Sequence, residues 1–410
     1  MRVLFLNNFC YLRGGSEKVL FEEMRILGEA GHDVEIYSRG HEKNVPTKFE
    51  QYFPPPLDTE RLGLSPATVR TVKELIYSDT SRRGLRKAID QFGPDIAHAH
   101  NIYGRLSLSV LDELKAAGVP VVLTLHDYKL LCPSYLMLNH GRICERCRGS
   151  RFYNAVITKC HRNSYLASSV YAMEAWFNHV FRKYESVRYF ISPSMFLRHK
   201  AIEFGWDPDK IIHIRNFVDK QAMAAFAVQG DYCLFLGRLS AEKGVKTLLR
   251  ALKGLPSIPR LVVAGDGPDR EALGKLAKEN ILPVDFTGYV QGAELEKVIM
   301  GAKVVILPSE WYENAPLSLL EALAHGKPVI GARIGGIPEM IDDGINGYLF
   351  EPGNVADLLM KLEALLGMPG DRVMEMGRAA RRKVEREYSA EAHYTRLIAA
   401  YGSILGKPIA

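Results

Sequence analysis

Short apolar segments alternate with amphipathic ones along the whole chain, and this alternation limits the fold more than any other feature. Residues 2–6 form an apolar run of strand length. Gly14 and Gly15 interrupt the pattern, and from about Ser16 to Ala30 the residues Val19, Leu20, Met24 and Leu27 recur at helical spacing. Gly31 ends that helix, and 34–38 supply the next strand, completing one strand–helix–strand unit. The strand pattern returns at 95–100, 121–126, 189–194, 211–216, 232–237, 260–265, 284–288, 303–309 and 328–332, with helical stretches between most of these segments. Strands separated by helices pack as parallel sheets covered on both faces, so the expected class is α/β.

The alternation fails in three places. Residues 40–70 are irregular and contain Pro54-Pro55-Pro56; residues 132–165 hold four cysteines without periodicity; and 217–231 lack a strand signal. A chain of 410 residues has room for two or three domains. The expected division is 1–217, with a cysteine-rich insertion at 132–162, then 218–387, then a terminal helix over 388–410. No apolar run reaches the length of a membrane-spanning helix, and the first residues do not form a signal peptide. The expected location is cytoplasmic, peripheral on the inner face of a membrane. The formal net charge is +6, with basic residues gathered at Arg82, Arg83, Arg86 and Lys87 and again from Arg142 to Arg162. Such patches suit an anionic membrane surface or substrate, or simply a solvated face. No aromatic-interleaved nucleic-acid motif accompanies them, so nucleic acid is not expected as a partner.

Ligands of open parallel sheets bind where strands run out at their carboxyl ends. After the first strand, Gly14 and Gly15 open a helix whose free N–H groups suit a phosphate, although a plain turn reads equally well. After 232–237, Arg238 and Lys243 place two cations on one loop, against a mild helix-dipole penalty. After 303–309 come Glu313, Asn314, Ala315, Pro316 and Leu317, with Pro316 suited to a first helical turn. Glu321 falls among Leu317, Leu320 and Leu323 and needs a partner, either a ligand hydroxyl pair or a salt bridge. Asp207-Pro208-Asp209 precedes a strand and reads as a turn, not a metal site.

Cys10 and Cys233 read as packing residues. Cys132, Cys144, Cys147 and Cys160 fall together, the middle two as C-x2-C, with His161 following. In a cytosolic protein such clustering favours a structural zinc ion, with free or redox thiols and an iron–sulfur cluster as the alternatives.

The segment 310–354, with Glu313 and Glu321 in a Glu-x7-Glu spacing, resembles glycosyltransferase family 4. Residues 237–245, 262–268, the front loop around Gly14 and Gly15, and 123–128 with His126 extend the resemblance over the whole chain. It implies the GT-B fold: two Rossmann-like domains facing a cleft, the last helix crossing back to the first domain. It implies a retaining enzyme moving a hexose-type sugar from a UDP- or GDP-linked donor to a glycan or polyprenyl-linked lipid acceptor in bacterial-type surface polysaccharide or glycoconjugate synthesis. Arg238 and Lys243 would then hold the diphosphate, with Gly14 and Gly15 meeting it from the other domain. Glu313 and the backbone of Asn314, Ala315, Pro316 and Leu317 would bind the sugar, Glu321 the ribose, Gly288 and Tyr289 the base, and His126 would lie at the sugar. No cofactor is implied for catalysis. The alternatives are a catalytically inactive nucleotide-binding scaffold and a sugar-nucleotide epimerase of the same fold. A dehydrogenase is set aside because Arg13-Gly14-Gly15-Ser16 stands where G-x-G-x-x-G belongs.

Overall fold

The computed structural model describes residues 1–57, 66–218, 230–407 and 409. The chain forms two compact units, Met1–Ile214 with Tyr394–Ala410, and Arg215–His393.

The first unit is built on a parallel six-stranded sheet: β1 (Arg2–Leu6), β2 (Asp33–Tyr37), β3 (Ile96–Ala99), β4 (Val121–Thr124), β7 (Val187–Ser192) and β8 (Ile211–His213). Between β4 and β7 lies a separate hairpin of β5 (Leu138–Asn139) and β6 (Arg142–Ile143). The order β2-β1-β3-β4-β7-β8 reverses direction between β1 and β3. Both faces are covered, so β3 and β4 are buried at every residue. This is why these strands read as continuous apolar runs instead of alternating ones.

The second unit repeats the plan with β9 (Tyr232–Leu236), β10 (Leu261–Ala264), β11 (Val284–Gly288), β12 (Ala302–Leu307), β13 (Val329–Ala332) and β14 (Gly347–Phe350). Its order, β11-β10-β9-β12-β13-β14, reverses between β9 and β12. That is the order of a dinucleotide-binding Rossmann sheet. The strand β14 was not expected. Asp342–Asn346 folds as a tight turn, with the Asp342 N–H donating to Asn346 Oδ1 at 2.8 Å, and a glycine opens the strand. Gly347 is required because a Cβ there would meet the Val329 carbonyl oxygen at 2.2 Å. A glycine beside a turn hides a strand from pattern reading.

Two further expectations shift. The irregular stretch 40–70 contains a 3-10 turn at Glu50–Tyr52 and the start of a helix, Pro66–Ile76, with proline at its first position. The unit boundaries fall at 214/215 and 393/394 instead of 217/218 and 387/388. The Arg215 carbonyl accepts from His393 Nδ1 at 2.7 Å, and the Val218 N–H donates to the Tyr388 carbonyl at 3.0 Å. Both contacts draw their residues into the second unit. Most of the expected linker, 219–229, lies outside the described residues. The final helix, Ala390–Leu405, gives its later turns to the first core, where Leu397 and Tyr401 are fully buried with Val3, Phe5 and Ile96. Among the described residues no helix is long and apolar enough to cross a membrane.

Candidate functional site

In the second unit the loops after β9 and β12 part at the point where strand order reverses. The β9 loop makes a 3-10 turn, Ala241–Lys243, and enters the helix Val245–Lys253 through Gly244 in the left-handed region (φ 68°). A Cβ at Gly244 would stand 1.8 Å from the Pro308 carbonyl oxygen, so the two loops touch backbone to backbone. The Glu310 N–H donates to the Glu242 carbonyl at 2.8 Å across the same contact.

This packing brings Lys243 and Glu313 together. Lys243 Nζ donates to Glu313 Oε1 at 2.7 Å, and Ser309 Oγ donates to the same oxygen at 2.7 Å. Glu313 is buried, while the lysine retains some exposure. Burial pushes the carboxyl up, but the Lys243 charge and the hydrogen bonds it accepts outweigh that and hold it below its ordinary value. The Lys243 ammonium also lies 5.0 Å from the centre of the Trp311 ring. The Glu313 backbone is fixed by the Gly336 N–H, which donates to its carbonyl at 2.8 Å. Ser309 and Trp311 were not singled out from the sequence; only their position next to Glu313 marks them.

The remaining expected residues of this unit lie at the end of β11 or on the segments that follow β9, β11 and β12. Arg238 is exposed on the β9 loop. Asn314 is buried, and the Ala315 carbonyl accepts from Asn216 Nδ2 at 3.2 Å. Pro316 stands at the N-cap of the helix Leu317–Ala324, one position before the expected first turn, because its carbonyl must accept the Leu319 and Leu320 N–H groups. The helix has no side-chain cap at that end. Glu321 is buried within it. Gly288 closes β11 with φ 79°, its carbonyl accepting the Gly265 N–H at 2.7 Å, and Tyr289 beyond it is exposed.

In the first unit the loops after β1 and β3 join at the reversal. The Asn8 N–H donates to the Asn101 carbonyl at 2.7 Å, and the Asn101 N–H to Asn7 Oδ1 at 3.0 Å. Gly14 and Gly15 open the helix Gly15–Glu29, both exposed and without a side-chain cap. His126 follows β4 and is half-buried; its Nε2 lies 2.7 Å from His100 Nδ1. His100 Nε2 in turn lies 3.2 Å from Glu23 Oε2, a close approach without full hydrogen-bond alignment. Burial first, then His100, drive the His126 imidazole down to about 3 against the opposing pull of Glu23, so it is neutral at pH 7. The Glu23 carboxylate favours the proton on His100 Nε2. In that tautomer His100 Nδ1 accepts from His126 Nε2–H, and His126 Nδ1 is left as an acceptor.

Sequence reasoning missed Glu23, His98 and His100; the His-Ala-His string at 98–100 was the available signal. Among the described residues, Glu23, His98 and His100 are the group whose donor atoms all lie within 4.8 Å, a spacing a metal could use. Both nitrogens of His98 already have partners: Nε2 with Thr124 Oγ1 at 2.7 Å and Nδ1 with the Tyr401 hydroxyl at 2.7 Å. The group therefore reads as a closed polar network.

The two basic patches differ. Arg82 and Arg86 both reach Glu113, at 3.2 Å and 2.6 Å. Arg142, Arg146, Arg148, Arg151 and Arg162 are exposed. Asp207 caps a 3-10 turn, Oδ1 accepting the Asp209 N–H at 3.0 Å, so that string is a turn in the structure.

Two family models match. The one described as Glycosyltransferase Family 4 covers residues 13–222, over half of the 410-residue chain, and the one described as Glycosyl transferases group 1 covers residues 220–383. The sulfoquinovosyl transferase SQD2 of Arabidopsis thaliana is 39% identical over 156 residues, 37% of this chain and 30% of that protein. A GDP-mannose-dependent alpha-mannosyltransferase of Corynebacterium glutamicum is 33% identical over 208 residues, 51% of this chain and 44% of its own. The matches thus span less than half the length of these relatives. Among solved structures, Anabaena HepE in complex with UDP aligns with a TM-score of 0.67 at 17% identity, over 98% of this chain and all of that one. The two parallel-sheet units and these alignments make the fold GT-B.

Proposed function

Because the chain belongs to glycosyltransferase family 4, we propose that it transfers a hexose-type sugar, with retention, from a UDP- or GDP-linked donor to a glycan or polyprenyl-linked lipid acceptor at the inner face of a membrane, in surface polysaccharide or glycoconjugate synthesis. The observation that carries the reading is the Lys243–Glu313 pair at the strand-order reversal of the second unit. Breaking a sugar–diphosphate bond builds negative charge on the leaving oxygens. Lys243, Arg238 and the uncapped start of the helix Leu317–Ala324 supply preorganised positive charge for it. The Glu313 carboxylate, kept ionised beside Lys243, accepts from sugar hydroxyls. In the first unit the His126 acceptor nitrogen suits a further hydroxyl of the donor sugar.

Retention by double displacement needs a carboxylate nucleophile. Asp127 is the carboxylate beside His126, but its Oδ1 accepts the Lys129 N–H at 2.8 Å and burial lifts it to about 6. We therefore favour attack on the face the diphosphate leaves, with the donor phosphate taking the acceptor proton. The cations named here replace a divalent metal in this scheme. The relatives' names span both nucleotide types: HepE is complexed with UDP and the mannosyltransferase is GDP-mannose-dependent.

The membrane part of the reading is supported by the helix Tyr165–Val180. Leu166, Met173, Trp176 and Val180 are exposed, as are Tyr153, Ile157, Tyr165 and Phe181 nearby. Exposed apolar rings next to exposed arginines suit an anionic lipid interface. The test is transfer of label from UDP- and GDP-hexoses to polyprenyl-phosphate-linked acceptors in vesicles, with EDTA present, together with co-sedimentation on anionic vesicles. Transfer in EDTA and loss of co-sedimentation in a Trp176→Glu, Phe181→Glu variant are expected. Donor hydrolysis or epimerisation without transfer would contradict the activity, and equal recovery with neutral and anionic vesicles would contradict the membrane site.

A further inference from the structure

Residues 132–163 have little regular structure and few buried apolar side chains. Their regular structure is the hairpin β5–β6, a 3-10 turn at Arg148–Ser150 and the five-residue helix Tyr153–Ile157. Besides the cysteines, Met137 and Ala155 are the buried apolar side chains of any note. Yet seven of the ten non-glycine residues with positive φ among the described residues fall here: Tyr135, Met137, His140, Ser150, Lys159, Arg162 and Asn163. Each such conformation costs roughly 1–2 kcal/mol and persists only where the surroundings enforce it. A core this small leaves that to backbone hydrogen bonds, such as the Phe152 N–H donating to the Ser150 carbonyl at 2.8 Å, and to whatever joins the cysteines.

The four cysteines stand at the joints of this segment. Cys132 closes the turn after His126, its N–H donating to the Tyr128 carbonyl at 2.8 Å. Cys144 follows β6, its N–H donating to the Met137 carbonyl at 2.9 Å; Cys147 precedes the 3-10 turn; Cys160 lies just past the short helix, its N–H donating to the Ala155 carbonyl at 3.1 Å. All four are free thiols, and Cys132 and Cys147 are buried. The four thiols lie near enough to interact. Ser134 Oγ lies 3.2 Å from Cys132 Sγ and also hydrogen-bonds the Cys160 thiol, and Cys132, Cys144 and Cys160 all act electrostatically on Cys147.

We propose that Cys132, Cys144, Cys147 and Cys160 bind one structural zinc ion that clamps the insertion onto the loop carrying His126. The sulfurs are not gathered as tightly as the donor atoms of Glu23, His98 and His100. With Zn–S near 2.3 Å, a tetrahedral site brings sulfurs to about 3.8 Å, so binding draws the four joints inward. Each bound thiol gives up its proton as the metal–sulfur bond forms, and a four-thiolate zinc site carries a charge of about −2. The segment is suited to that charge. It bears Arg142, Arg146, Arg148, Arg151, Lys159 and Arg162 against the single acid Glu145. His161 is buried beside Cys160 with its ring centre 4.0 Å from that of Tyr171, and the four cysteines make a complete tetrahedral set without it.

The clamp is independent of the donor chemistry. The test is elemental analysis of the full chain, purified without chelator or histidine tag, with cobalt substitution followed by visible absorption. About one zinc per chain and the bands of tetrahedral thiolate cobalt are expected. The Cys144→Ser, Cys147→Ser variant should lose the metal and melt several degrees lower, while UDP or GDP still raises its melting temperature as in the parent. Should that variant fail to fold, chelation of the parent gives the same readout. Less than about a tenth of a zinc per folded chain after growth in zinc would overturn the proposal. So would thiols that react fully before chelation, disulfides in the native chain, or the absorption of an iron–sulfur cluster.

Discussion

The two units build the same device, a parallel sheet whose strand order reverses once, and fill it with opposite electrostatics. In the second unit the reversal holds an ion pair, Lys243 on Glu313, with the lysine still reaching solvent. In the first, the nearby polar cluster holds imidazoles, with His126 pressed neutral by burial and by His100. A charged, partly exposed crevice suits a diphosphate, whose charge grows as the sugar leaves. A neutral, hydrogen-bonded histidine suits hydroxyls, which need orientation more than charge. In the proposed function one topology serves two kinds of recognition, and the loops past the strand ends decide which.

Breaking the ion pair should have the largest effect. Lys243→Ala leaves Glu313 buried without its cation, which should cost about 3 kcal/mol in denaturant unfolding and abolish the nucleotide-induced rise in melting temperature. The double variant Lys243→Met, Glu313→Leu should regain much of the stability but none of the nucleotide response. If it regains the response, the pair does not hold the diphosphate. His126→Asn should lower transfer roughly a hundredfold and leave the nucleotide response of the second unit intact. A lost nucleotide response would erase the proposed division of labour.

The neutral imidazoles also predict an acid limb in stability. His126 is lowered to about 3 and His161, by burial with help from Lys129 and Arg162, to about 4. Below the ordinary imidazole value near 6.5 these two imidazoles bind more protons in the unfolded chain than in the folded one, so their contribution to stability falls as pH drops from about 6.5 towards 4, partly offset by Asp127, which burial lifts to about 6. Melts of wild type and His126→Asn across that range should converge at acid pH, since the variant lacks one of the lowered imidazoles. Glu23→Gln, which keeps shape but removes the charge next to His100, should cost less, about 1–2 kcal/mol, and shift the pH profile of transfer. The smallest change is expected at Arg82→Ala, a half-exposed partner of Glu113, at under about 1 kcal/mol in the same melts.

The legibility of the fold followed burial. Strands buried on both faces, such as β3, β4, β10 and β13, read directly as apolar runs. The edge strand β14, opened by Gly347 after a turn, did not. Within the site, Lys243 and Glu313 were legible one by one, but not as partners. Their contact depends on Gly244 and Gly335 letting backbones meet, with a Gly335 Cβ falling 2.1 Å from the Glu313 carbonyl oxygen. No linear pattern encodes a contact between loops seventy residues apart. Glu23 was hidden for the same reason, since a carboxylate on a helix acquires meaning only when a neighbouring strand delivers His98 and His100 to it.

Thermal unfolding of the intact chain with UDP, GDP, ADP, TDP and CMP at millimolar concentration, run beside Lys243→Ala, tests the central claim most directly. A nucleotide at a hundred times its dissociation constant adds about 2.7 kcal/mol. The account predicts a clear rise in melting temperature with UDP or GDP that vanishes in the variant. No rise with any diphosphate, or the same rise in both proteins, would contradict a donor site built on Lys243 and Glu313.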